Sequence, residues 1–171
     1  LYTYFFVVSS VLQAQSFGQN KVQYRDFEWS FISSPNFDVY YYGDELDLAT
    51  FTMEAANEAY EQIGKHLRWT LKKRVPILVY HSHNEFQQNN AVGVYMSEGI
   101  GGVTELFKNR VVIPFEGDYK AFRHVIHHEL VHAMINDLIY GGRMNNVASG
   151  QVRWSIPLWA NEGLAEYLSS N

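Results

Sequence analysis

An α+β fold is predicted by three observations. FDVYYY at 37–42 is a β-branched and aromatic run between turn residues. Two long segments, 48–71 and 119–140, carry apolar residues at helical spacing. Between and after them lie a second short strand, a candidate hairpin and a last helix. The chain of 171 residues is about one domain long, and a composition 47% apolar and 18% charged supports one packed core and excludes disorder for most of it.

Residues 1–14 (LYTYFFVVSSVLQA) carry no charge, and their apolar stretch from Tyr4 to Leu12 is too short to span a bilayer. They read as the hydrophobic part of a signal peptide without its basic start, with Ala14 as the cleavage point, so the protein is expected to be exported: periplasmic, at the cell surface or secreted. Residues 15–36 are expected to be an N-terminal extension and 37–171 the folded domain. Ser33, Ser34 and Pro35 precede the strand at 37–42 and Gly43 follows it, which makes it the first core strand. Phe51, Ala55, Ala59, Ile63, Leu67 and Leu71 then mark one inward helix face. Asp44, Glu45 and Asp47 precede that helix, and Lys65, Arg68, Lys72 and Lys73 close it, as its macrodipole favours. The basic run at 72–74 is thus a solvated helix end.

Pro76 is expected to stop this helix, and Ile77–Tyr80 is short and apolar enough for a buried strand. His81 and His83 fall in a polar connection with no third ligand near them in sequence, and read as loop histidines. GIGG at 99–102 lacks the Lys-Ser/Thr ending of a phosphate loop and reads as a turn. VTELF at 103–107 and VVIPF at 111–115 form a candidate hairpin, whose second strand Pro114 assigns to a sheet edge. A helix follows from about Tyr119 to Tyr140, ended by Gly141 and Gly142, with a polar loop at 143–153. The final helix starts near Ile156 with Pro157 in its first turn and runs to about Ser169.

The net charge of −5 and a pI near 5.8 give none of the basic footprint of a nucleic-acid binder. With no Cys, a disulfide scaffold, a zinc ribbon, an iron–sulfur site and a thiol nucleophile are excluded. Any metal must therefore sit on His and carboxylate.

His128-Glu129-Leu130-Val131-His132 is H-E-x-x-H, with an expected chance occurrence of about 0.02 in a chain of this length. On a helix turning about 100° per residue, His132 lies roughly 40° and Glu129 roughly 100° from His128. Ile126, Leu130, Ala133, Met134 and Leu138 occupy a separate arc for burial. His124 falls almost on the ligand face, as an outer partner of a metal ligand, a substrate-side group or neither. His127 falls in the apolar arc and is expected to be a hydrogen-bonded core residue. A catalytic zinc takes three protein ligands and keeps one position open. In WANEGLAEY at 159–167, Glu162 and Glu166 stand at i and i+4 on an otherwise apolar helix. The reading is Glu162 as third ligand, with Glu166 accepting the free ring N–H of a ligand histidine.

H-E-L-V-H, Pro157-Leu158-Trp159 and N-E-G-L-A-E-Y together resemble the gluzincin metallopeptidases, specifically the peptidase MA-like proteins exported by Gram-negative bacteria. The stretch GVTELFKNRVVIPF is similar to the hairpin that precedes the zinc helix in that group. The resemblance implies a zincin-like domain: a small mixed sheet, a long N-terminal helix, the H-E-x-x-H helix, and a C-terminal helix carrying the third ligand. It implies zinc on His128, His132 and Glu162, Glu129 as general base and Glu166 behind the ligands. It also implies that the edge strand, here Val111, Val112 and Ile113 onward to Phe115, holds a peptide or protein substrate in extended form. In such enzymes a downstream Tyr or His stabilises the oxyanion; Tyr140, Arg153 and Tyr167 are the candidates here. Several relatives continue into a Tol-type β-propeller, so the chain is expected to continue beyond Asn171. The 29 residues between His132 and Glu162 exceed the spacing in thermolysin-like members, which places the difference in the intervening loop.

The expected chemistry is zinc-assisted peptide hydrolysis, with Glu129 taking a proton from water and passing it to the leaving amine. The alternative is a zincin-fold binding or assembly module of a larger exported protein with little or no proteolysis. A third reading is a metal-free structural domain, whose melting a chelator would leave unchanged.

Overall fold

The computed structural model describes residues 26–89, 101–105, 108–140 and 156–170. The segment expected as a signal peptide lies outside the described residues, as do Gly99, Ile100 and the loop at 143–153. Five strands, β1 (Trp29–Ser33), β2 (Phe37–Tyr42), β3 (Val75–Tyr80), β4 (Val103–Glu105) and β5 (Arg110–Pro114), form one sheet in the order β1-β2-β3-β5-β4. The sheet is mixed: β2, β3 and β5 run parallel, while β1 and β4 add antiparallel at the two edges. Among the described residues four helices complete the α+β architecture: α1 (Leu46–Leu67), the short α2 (His83–Phe86), α3 (Tyr119–Tyr140) and α4 (Leu158–Ser169). Among the described residues no helix is long and apolar enough to cross a membrane.

Strand alternation decides which side chains meet the helices. Phe37 and Val39 of β2, Val75, Ile77 and Val79 of β3, and Val111 and Ile113 of β5 are buried in one core with α1 and α3. The opposite face carries a smaller cluster of Tyr42, Tyr80, Phe86 and Val112. On β4 the same alternation turns Val103 to the small cluster and Thr104 to the helix side.

Several boundaries differ from the sequence expectation. The sheet begins before residue 37: Trp29–Ser33, placed in the extension, pairs along its whole length with β2. α1 ends at Leu67, not Leu71, and no proline stops it. Arg68 turns left-handed (φ 50°), Trp69 N–H bonds back to the Gly64 carbonyl, and Asp137 of α3 accepts from both Trp69 Nε1 and Lys72 N. The basic run 72–74 therefore follows the helix instead of closing it, and Pro76 lies inside β3 opposite Asp38.

The strand expected at the edge, Val111–Phe115, is interior. β5 runs between β3 and β4, and Val111, Val112 and Ile113 are fully buried. Pro114 is tolerated there because Phe115 N–H bonds the Tyr80 carbonyl, so alternation turns the proline nitrogen to the other side. On that side β4 pairs only as far as Val112. The edge strand is β4.

Candidate functional site

The site is built on α3 from residues one turn apart. His128 and His132 project from the same face, and their Nε2 atoms come to 3.2 Å. The last helix, α4, packs against α3 and supplies Glu162, whose Oε2 lies 3.4 Å from each of those nitrogens. Three donor atoms from two elements thus form a triangle with edges of 3.2, 3.4 and 3.4 Å. A tetrahedral zinc ion with bonds of about 2.0–2.1 Å separates its ligand atoms by about 3.3–3.4 Å, so this donor set fits one.

The outer nitrogens of the two rings face α4 as well. Glu166 Oε2 is 3.6 Å from His128 Nδ1. His132 Nδ1 and Asn161 Oδ1 are both buried without a closely aligned hydrogen bond. The Asn161 side chain nonetheless favours the protonated His132 ring, as an amide oxygen facing a ring N–H does. Burial acts more strongly in the other direction and lowers the pKa of His132, against the opposing pull of Glu162.

Glu129 lines the same cleft as the triangle, reaches Thr104 of β4 and is 7% exposed. Burial raises its pKa to about 7, the nearby charge of Glu162 adds to the rise, and the Thr104 hydroxyl opposes it. Thr104 Oγ1 lies 2.6 Å from Glu129 Oε2 and 2.9 Å from the Glu129 carbonyl, and its one proton serves either. Two residues back, a Cβ on Gly102 would stand 2.9 Å from Glu129 Cγ and 2.9 Å from Ile113 Cγ2. Glycine there lets the strand approach the carboxyl side chain closely. Gly102, Thr104, His128, Glu129, His132 and Glu162 border one cleft of about 720 Å³ between β4, α3 and the start of α4.

Of the three oxyanion candidates, Tyr140 lines the far end of this cleft. Tyr167 is 66% exposed on α4 and is not among the described residues that line the cleft. Arg153 lies outside the described residues. Among the described residues, Val111, Val112 and Ile113 offer no free edge to a peptide, and Val103–Glu105 does. His127 is buried as expected, but its Nε2 has no hydrogen-bond partner among the described residues, and burial lowers its pKa. Leu138, at the margin of the apolar arc, is 38% exposed.

Sequence reasoning missed Gly102, Thr104 and Asn161. The first two carry a signal in hindsight, since alternate residues of one strand reach the same neighbour. No family model matches the sequence, and neither a curated protein nor a solved structure matches the chain.

Proposed function

We propose that this domain is a zinc-dependent metallopeptidase of the gluzincin type, with a zincin-like fold, acting on an extended peptide or protein. The observation that carries the reading is the triangle of His128 Nε2, His132 Nε2 and Glu162 Oε2 beside the buried carboxyl of Glu129. His128, His132 and Glu162 would hold the ion, with Glu166 and Asn161 fixing the two rings from outside. When bound, zinc supplies a Lewis acid that polarises a scissile carbonyl and acidifies water.

Glu129 is the general base. A carboxyl whose pKa stands near 7 can take a proton at neutral pH and return it to a leaving amine. Thr104 engages Oε2 and leaves the other carboxylate oxygen for that transfer. The outer edge of β4 is the docking strand, because an extended peptide adds to an exposed edge through main-chain hydrogen bonds. By resemblance the domain belongs to an exported protein that continues into a β-propeller. The competing reading, a binding or assembly module, gives no use to a buried base next to the donor triangle.

Two measurements test this. Elemental mass spectrometry should find about one zinc per chain, lost in His132→Ala. A peptide-library digest should show cleavage by the wild-type chain and none by Glu129→Gln, which keeps its zinc. Equal cleavage by both proteins would refute the role of Glu129, zinc without any cleavage would favour the binding module, and absence of zinc would remove both readings.

A further inference from the structure

We propose that His124 is a positioning residue of the zinc site, acting on His128 through Glu166; this rests on the zinc reading above. His124 precedes His128 by one turn of α3. Its Nε2 lies 3.6 Å from Glu166 Oε2, the same oxygen that lies 3.6 Å from His128 Nδ1. One carboxylate oxygen is therefore shared between ring nitrogens on successive turns. The second oxygen, Oε1, is 3.2 Å from the Ser170 hydroxyl. His124 Nδ1 is in turn 3.3 Å from the carbonyl of Ser169, the last residue of α4.

The need for a second anchor follows from exposure. The Glu166 side chain is 62% exposed, and a single contact between such a side chain and a ring gains little against the rotamer entropy it must give up. With His124 beside one oxygen and the Ser170 hydroxyl shared between the other oxygen and the Glu166 carbonyl, the same carboxylate has fewer geometries open to it. Its placement sets the rotation of the His128 ring, and hence where its Nε2 stands relative to His132 and Glu162. The chain of contacts runs from the Ser169 carbonyl through His124, Glu166 and His128 to the cleft, and staples the end of α4 to α3 one turn outside the donors.

The test is the zinc dissociation constant, measured on the full chain by competition with a chelator for wild type, His124→Ala, His124→Gln, Glu166→Ala and the double variant H124A/E166A. Loss of an outer partner of a ligand histidine typically weakens metal binding about 10- to 100-fold. H124A and E166A should each fall in that range, the double variant should bind no more weakly than E166A alone, and H124Q, which keeps an N–H donor, should recover much of the loss. The metal-free proteins should melt only slightly below wild type, because contacts between such exposed side chains contribute little to the fold. Zinc binding by H124A within twofold of wild type, or by H124Q as weak as by H124A, with E166A weakened, would overturn the proposal and leave the zinc reading standing. Additive losses in the double variant would also overturn it, since His124 would then act without Glu166. A second zinc per chain, lost in H124A, would make His124 a ligand and overturn it too. A wild-type chain that binds no zinc would overturn both readings together.

Discussion

His128 and His132, four residues apart on α3, bring their Nε2 atoms to 3.2 Å, whereas His81 and His83, two apart after β3, face separate carboxylates. His81 Nδ1 is 4.0 Å from Glu45 before α1, and His83 Nδ1 is 3.5 Å from Glu116 before α3. The residue types are the same, and ring nitrogens are buried without hydrogen bonds at His81 and His83 too. What differs is the scaffold. A helix stacks positions i and i+4 on one face, and a second helix delivers one carboxylate to both rings. A connection aims alternate residues at different neighbours, and His81 instead stacks on the Tyr42 ring at 4.0 Å. Convergence on a shared acceptor, rather than the presence of histidine and glutamate, distinguishes a donor set from two loop residues with separate neighbours.

The largest expected difference is in metal content. His132→Ala or Glu162→Ala should abolish zinc binding, while the double variant H81A/H83A should keep wild-type content by elemental analysis. Next is the thermal effect of the metal. At a thousandfold excess over its Kd, zinc should stabilise the fold by about 4 kcal/mol. For a chain of this size that raises Tm by about 8–16 °C, measurable by calorimetry against a chelator-treated sample. The shift should persist in H81A/H83A and vanish in His132→Ala.

The third test uses pH on the metal-free protein. Burial favours the neutral form of Glu129, so its contribution to stability is complete below its ordinary value of 4.5 and is lost as pH rises through about 7. Denaturant titrations at pH 5 and pH 8 should show a loss of up to about 3 kcal/mol that is absent in Glu129→Gln. A loss of equal size in that variant would locate the titrating group elsewhere. The smallest effect belongs to the loop pair. The Tyr42 hydroxyl donates to Glu85 at 2.6 Å and accepts from His81 N at 2.9 Å, so Tyr42→Phe should cost about 1–2 kcal/mol. Its zinc content should equal that of wild type, and a fall would mean that the two histidine regions are coupled.

The elements most legible in the sequence are those bounded by local chemistry. β2 and α3 fall where their turn residues and apolar periods put them, and α4 starts one residue after its proline. β1 is hidden because four of its five residues are exposed; its strand character comes from pairing with β2, which no local pattern records. The end of α1 is misplaced by periodicity because Asp137, far along the chain, captures Trp69 and Lys72. Proline misdirects the edge assignment: it removes a hydrogen bond only if a neighbour reaches that far, and β4 stops short. Within the site, the i, i+4 spacing marks His128, His132, Glu162 and Glu166 as two facing pairs. Asn161 and Thr104 carry no such spacing, and their roles depend on how α4 and β4 dock.

The two helices that carry the donors are anchored unequally. α3 buries eleven residues between Phe122 and Asp137, packs on α1 and the sheet, and is tied through Asp137 to the segment after α1. α4 buries Ala165, Leu168 and Ser169, and exposes Leu158 and Trp159 by 74% and 79%. Any loosening of the site therefore starts with α4 lifting away from α3, which takes Glu162 with it and leaves the two histidines in place. On the proposed zinc reading, equilibrium affinity would draw on all three donors, whereas the lifetime of a bound ion would be governed by the docking of the shorter helix.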